Sequence, residues 1–368
     1  MMLPEFWRAA LLALVIAGAL AGMNPGSLPW ASPMLVAWVP LLVFARKDRA
    51  APPPEEGQGA FAELARRCWT LYARACDSRD ADAKPTAVDA ALGLVAPLCA
   101  HHLGCLESAA LVSRLDEALG AVERLRGHPL TGGGLRGLST SESGMLAAAL
   151  IVLESALERM RRAGVASASI EACEARARAL REGMDFAFLH DASSGLLHEG
   201  HDVGSGTPAP RLQAAFDDAG LLASFVAIAE GQLPLRHWQR LLESHLETRG
   251  AGTPDAHAAV EQLSPSVFLW FPPATLLEDA ARPAVETASR PEASLHLQAL
   301  ALRFKPGSPV DGLQALLEAE PLASPRSLGL TLLALTNLAC DDILIQHFHR
   351  HWRIAWIDVL VYETKEAP

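Results

Sequence analysis

Tyrosine occurs only twice in 368 residues, and all aromatics together make up 6% of the chain. That is thin for a cleft that holds its ligand by ring stacking. Paired cysteine spacing is missing as well. The six cysteines (Cys68, Cys76, Cys99, Cys105, Cys173 and Cys340) contain no CxxC, and the step of six from Cys99 to Cys105 fits no common zinc site. Their apolar surroundings point to free thiols in a reducing compartment. Positive charge is in deficit: 31 Lys and Arg stand against 42 Asp and Glu, a net charge of −11. Nucleic acid is therefore a poor partner, because phosphate binding needs basic surface. Gly132-Gly133-Gly134 has no strand before it and no lysine after it, which excludes a phosphate cradle. Nothing in the chain calls for a cofactor or a metal.

What the chain does have is apolar sequence at its start. Phe6 to Gly22 is an apolar run with one charge, Arg8, and Trp30 to Ala45 is a second. Asn24-Pro25-Gly26-Ser27 between them favours a turn. Both runs are at the short end for crossing a bilayer, which takes about 20 residues. Arg46, Lys47 and Arg49 follow the second run directly. The positive-inside tendency then predicts a transmembrane helical hairpin over residues 1–49 with both ends cytosolic. This is the expectation of an inner-membrane protein whose soluble domain is cytoplasmic. A cleaved signal peptide is the other reading, since Ala19-Leu20-Ala21 could mimic a cleavage site. Residues 50–59, with three prolines, two glutamates and two glycines, read as a linker.

Residues 60–368 are rich in Ala, Leu, Arg and Glu, the composition of a helical domain. Apolar periodicity predicts a helix from Phe61 to Ala75, a nearly wholly apolar one from Val88 to His102, and an amphipathic one from Leu111 to Leu125. Further helices are expected over Ser141–Met160, Ile170–Leu189, Leu212–Glu230, Leu235–Leu246, Ser294–Phe304, Val310–Ala319 and Leu328–Leu338. Buried helices alternate with amphipathic ones, so the expected fold is all-α, a two-layer toroid or bundle.

One stretch is more specific. Leu222 to Trp238 reads Leu-Ala-Ser-Phe-Val-Ala-Ile-Ala-Glu-Gly-Gln-Leu-Pro-Leu-Arg-His-Trp. It resembles a signature of the glucoamylase-like middle domain of bacterial cyclic β-1,2-glucan synthases. Segments resembling that family recur in the same order. They include Glu63 to Trp69, Leu111 to Arg126, Ser139 to Ala147, Asp185 to Asp191, Gly195 to His201, Ser264 to Pro273, and Gly329 to Asn337 followed by Gln346-His347-Phe348-His349. The resemblance implies an (α/α)6 barrel of the kind that remodels β-1,2-glucan by transglycosylation. It implies partners of the same trade: β-glucan itself, a glycosyltransferase or another glucan-synthesis protein.

Glycoside cleavage needs two carboxyl groups across the bond, and here the departures matter. The family's acidic residue at the start of the signature falls on Ala219, and its second acid falls on Leu269. Asp218 is one position from the first, but one step along a helix turns a side chain by about 100°. Two readings follow. In the first, the domain is catalytically silent and serves as an accessory or scaffold. In the second, it is an altered hydrolase or transglycosylase that uses Glu142 with Asp217 or Asp218. Glu142 could equally join a helix cap with Ser139 or Thr140. Asp217 and Asp218 could be solvated helix-start residues. His237, Trp238 and Trp270 are candidate glycan contacts, with core packing as the alternative for His237 and Trp238. Asp191 suits a turn. His347 and His351 could share a helix face and bind metal, but no third ligand is evident.

Overall fold

The computed structural model describes residues 55–78, 86–127, 138–165, 167–202, 206–213, 216, 220–248, 254–290, 292–305, 310–319 and 323–362. The expected membrane hairpin and most of the linker lie outside them. Pro52–Pro368 is a compact unit with its own core.

Twelve helices of the described residues alternate between an outer and an inner layer. They are α1 (Glu55–Asp77), α2 (Ala87–His102), α3 (Ser108–Gly127), α4 (Thr140–Arg162), α5 (Ala168–Glu182) and α6 (Leu221–Ala229). The series continues with α7 (Arg236–Thr248), α8 (Ala256–Leu263), α9 (Leu276–Ala288), α10 (Leu295–Ala301), α11 (Val310–Ala319) and α12 (Pro325–Ala339). The even-numbered helices make the inner ring: α2 packs on α4, α4 on α6, α8 on α10, α10 on α12, and α12 returns to α2. The odd-numbered helices lie outside. This is the all-α toroid expected from the alternation of apolar and amphipathic segments. Composition explains the layering. In α2 every residue from Val88 to Ala100 except Asp89 and Gly93 is buried, whereas α7 hides Trp238 and Leu241 and exposes Gln239. Helix α4 is long and apolar enough to cross a bilayer, but it is almost wholly buried inside the toroid and is a core helix.

The inner helices all start at one end, here called the mouth, and finish at the other, the floor. Two short helices close the floor: α13 (Ile343–Arg350) and α14 (Trp352–Ala355). Phe348 of α13 packs against Phe225 of α6 and Phe268, with ring centroids 6.2 and 6.4 Å away. Trp356 donates its indole N–H to the Ala229 carbonyl at the end of α6 (3.3 Å), satisfying one of the orphan acceptors every helix end leaves.

Two expected helices are shorter than their apolar patterns. The segment read as Ile170–Leu189 stops at Glu182, where Gly183 caps it and donates to the Ala179 carbonyl. The segment read as Leu212–Glu230 is helical only from Leu221. Between them the chain forms two small antiparallel hairpins, β1/β2 (His190–Asp191 with Leu196–Leu197) and β3/β4 (His201–Asp202 with Thr207–Pro208). Asp191 turns the first hairpin. Its carboxylate accepts from the backbone N–H of Ser193 and Ser194 (3.1 and 3.0 Å), the local bonding that suits Asp to turns. Helices α8, α9, α13 and α14 have no counterpart among the expected elements. The prolines in and around α8 and α9 hide their periodicity, since Pro283 sits inside α9.

Candidate functional site

The mouth end is built around the start of α4. Ser139 is the N-cap. Its backbone N–H donates to the Glu142 carboxylate (3.0 Å), and the Glu142 backbone N–H donates to the Ser139 hydroxyl (3.1 Å). The Ser139 hydroxyl also donates to the Glu142 carboxylate (3.1 Å). This is a complete capping box. One oxygen of Glu142 is therefore engaged by its own helix start. Thr140 donates its hydroxyl to the His198 carbonyl, and Ser139 bridges Gly200, so the β-hairpins are tied to the start of α4. Glu142→Ala is expected to cost about 1 kcal/mol of stability, whereas Glu142→Gln, which retains the box, is nearly neutral. Urea midpoints of the two variants check this.

Helices α4 and α6 touch backbone to backbone next to the box. A β-carbon on Gly144 would fall 2.5 Å from the Ala223 nitrogen, so this crossing requires glycine. The next residue along α6, Ser224, starts a buried polar chain. The His237 Nε2 lies 2.9 Å from the Ser224 hydroxyl, and His237 Nδ1 lies 2.8 Å from the Gly195 carbonyl. Desolvation by burial lowers the His237 pKa to about 4. The neutral ring then donates from Nδ1 to Gly195 and accepts at Nε2 from Ser224. The Ser224 oxygen also lies 3.2 Å from the Gln213 side-chain amide. His237, Ser224 and Gln213 thus form a buried polar chain that links the β1/β2 turn, α6 and α7.

The structure separates the other candidates. Trp238 is fully buried, packed against Phe216 and Phe225 with centroids 4.9 and 5.7 Å away. Trp270 is at the floor, not the mouth. Its backbone N–H donates to His349 Nε2 (2.9 Å), and the Arg303 guanidinium lies 4.5 Å from its ring centroid. Beside it Ser266, Arg303 and Asn337 line a cleft with room for about one water. Glu142 and Trp270 are therefore not parts of one site. Asp217, Asp218 and Ala219 lie outside the described residues. Leu269, where the resembling family carries an acid, is fully buried.

The three alternating histidines are buried but go separate ways. His347 Nε2 is 3.3 Å from His102 Nε2, His349 pairs with Asp358, and His351 is 3.7 Å from Glu154. No group of three metal-ligating side chains occurs among the described residues. Three of the six cysteines are buried and all are free; burial pushes the Cys99 thiol up to about 12, which leaves it protonated and unreactive.

Sequence reasoning missed a buried ionic cluster. Arg181, at the end of α5, donates to Glu154 of α4 (2.6 Å) and to Glu230 at the end of α6 (2.6 Å). Arg353 reaches the other oxygen of Glu230 (3.3 Å). Its members come from four separate segments, so no spacing in the sequence announces it.

An all-α toroid of inner and outer helices, with the inner helices starting at a loop-rich mouth, is the glucoamylase-like fold. Two solved structures carry it over nearly their whole length. One is a Bacteroides fragilis protein with a provisional glucoamylase assignment: TM-score 0.59, 10% identity, covering 85% of this chain and 98% of that one. The other, from Bacteroides caccae with the same provisional assignment, has a TM-score of 0.57 at 10% identity, covering 82% of this chain and 98% of that one. No protein-family model matches the sequence, and no curated protein is detectably similar to it. The likeness establishes the fold.

Proposed function

We propose that this chain is a catalytically silent glucoamylase-fold protein held at the inner membrane. In this reading it is related to the transglycosylating domain of cyclic β-1,2-glucan synthases and acts as an accessory in envelope glucan synthesis. It binds β-glucan at the mouth, or a glycosyltransferase of that process. The observation that carries the reading is Leu269. It is fully buried among apolar neighbours, at the position where the resembling family places a carboxylate. Glu142 supports it from the other side, because one oxygen of its carboxylate is taken up by a helix cap.

Losing one member of a cooperating catalytic set costs several orders of magnitude in rate. Purified Pro52–Pro368 incubated with linear or cyclic β-1,2-glucan is therefore expected to give no product above background, read by mass spectrometry. Robust product abolished by Glu142→Gln or by Asp218→Asn overturns the silent reading and establishes the altered enzyme. Because Glu142→Gln keeps the capping box, a loss of product in that variant could not be blamed on the fold.

A further inference from the structure

Large exposed apolar side chains are not scattered over this domain. Among the described residues they are Val165, Leu235, Leu246, Trp352 and Trp356. Val165 follows the end of α4, Leu235 precedes the start of α7, and Trp352 and Trp356 belong to the segment that closes the floor. Four of the five thus lie at the floor end. Trp352 and Trp356 are 67% and 49% exposed; Trp352 opens α14 and Trp356 caps its end, four residues on. Leu246, the exception, lies near the mouth end of α7 beside Glu243 and Glu247.

The floor residues keep different company. Arg236 adjoins Leu235, Arg350 precedes Trp352, and the Arg353 guanidinium lies 4.4 Å from the Trp352 ring centroid. Exposed tryptophan beside arginine is the chemistry of the bilayer interface, where the indole sits at headgroup depth and the guanidinium meets lipid phosphate. Scattered apolar residues need no explanation, but a set gathered at one end of a domain does.

The path of the chain names the occupant. Helix α1 runs antiparallel to α2: the Arg66 guanidinium donates to the Leu103 carbonyl at the end of α2 (3.2 Å), while Tyr72 lies near Asp89 at its start. Glu55 is eleven residues before Arg66, roughly 16 Å further along the helix axis and away from the mouth. The polypeptide therefore enters the toroid at the floor end. The apolar runs Phe6–Gly22 and Trp30–Ala45 precede that point in the sequence.

We infer that the floor is a membrane-facing surface: Trp352 and Trp356, with Arg236 and Arg350 nearby in sequence and Arg353 held between the Trp352 ring and Glu230, rest on an anionic bilayer and leave the mouth turned away from it. The inference rests on the membrane-anchored reading above, but it concerns a surface of the toroid and not the anchor. The test uses Pro52–Pro368, which has its own core, and vesicles of phosphatidylglycerol mixed with phosphatidylcholine. The domain is expected to co-sediment with these vesicles and to do so far less with pure phosphatidylcholine. Trp352→Ala with Trp356→Ala should weaken binding at least about ten-fold; Trp356 also donates to the Ala229 carbonyl, so Trp352→Ala alone, expected to weaken binding several-fold with helicity unchanged, separates the surface from the fold. Leu246→Ala should leave binding as it was. Absence of sedimentation, or equal binding by the double variant, overturns the inference. So does a concentration-dependent dimer in light scattering that the double variant abolishes, since the occupant would then be a second copy. Carbonate extraction of the full chain reads the anchor separately. A full chain that resists extraction, beside a domain that ignores vesicles, defeats the surface and spares the anchor.

Discussion

Arg181→Met is expected to destabilise the domain by about 3 kcal/mol, because it removes the shared buried countercharge of two carboxylates and leaves Glu154 only Arg178 and His351, and Glu230 only Arg353. Arg181, Glu154 and Glu230 side chains are all nearly inaccessible, so solvent screens little of the loss. Adding Glu154→Gln and Glu230→Gln to the same chain should recover most of it, since neutral amides need no countercharge. The pH dependence has a definite sign. Burial pushes the Glu154 carboxyl up, but hydrogen bonds from His351 and Arg181 outweigh it and hold it below its ordinary value of 4.5. A carboxyl depressed in the folded state contributes stability above its unfolded pKa and loses it as pH falls through the folded value. In the Arg181 variant burial dominates, the carboxyl rises, and protonation relieves the strain. The deficit relative to wild type should therefore shrink as pH is lowered from 7 towards 5, measured by urea unfolding at each pH.

Trp238→Ala should cost about 3–5 kcal/mol, the range for emptying a large buried aromatic site. Trp238 is fully enclosed by Phe216 and Phe225, so the effect is on the fold and not on a ligand. Glycan affinity of the variant, corrected for the unfolded fraction, should equal that of wild type. A selective loss of affinity with an unchanged unfolding midpoint would return Trp238 to the binding surface.

The fold was largely legible because its inner and outer helices differ so sharply in composition. Val88 to Ala100 could only be buried, and the helix is there within a residue of its expected bounds. Legibility failed where backbone bonds rather than apolar period set the structure. Leu212 continues an apolar pattern into α6, yet its chain bridges His198 and the helix waits until Leu221. Side-chain roles were harder still. The start of α4 showed both of its readings, and the capping geometry of Ser139 and Glu142 is plain in the structure. The Ser224–His237–Gln213 chain and the Arg181 cluster were invisible, because their members meet only when separate segments are brought together.

Ring closure has a consequence for how the protein is made. The apolar face of α1 is covered mainly by α12, and the Cys68 thiol meets the Leu328 carbonyl across 260 residues of sequence. At about 5–20 residues per second, a ribosome delivers α12 roughly 13 to 50 s after α1 has emerged. Throughout that interval the first helix is exposed without its mate. A nascent chain released before Pro325 could not close the circle, so the protein should depend on chaperone cover during synthesis more than a domain of the same size built from local contacts.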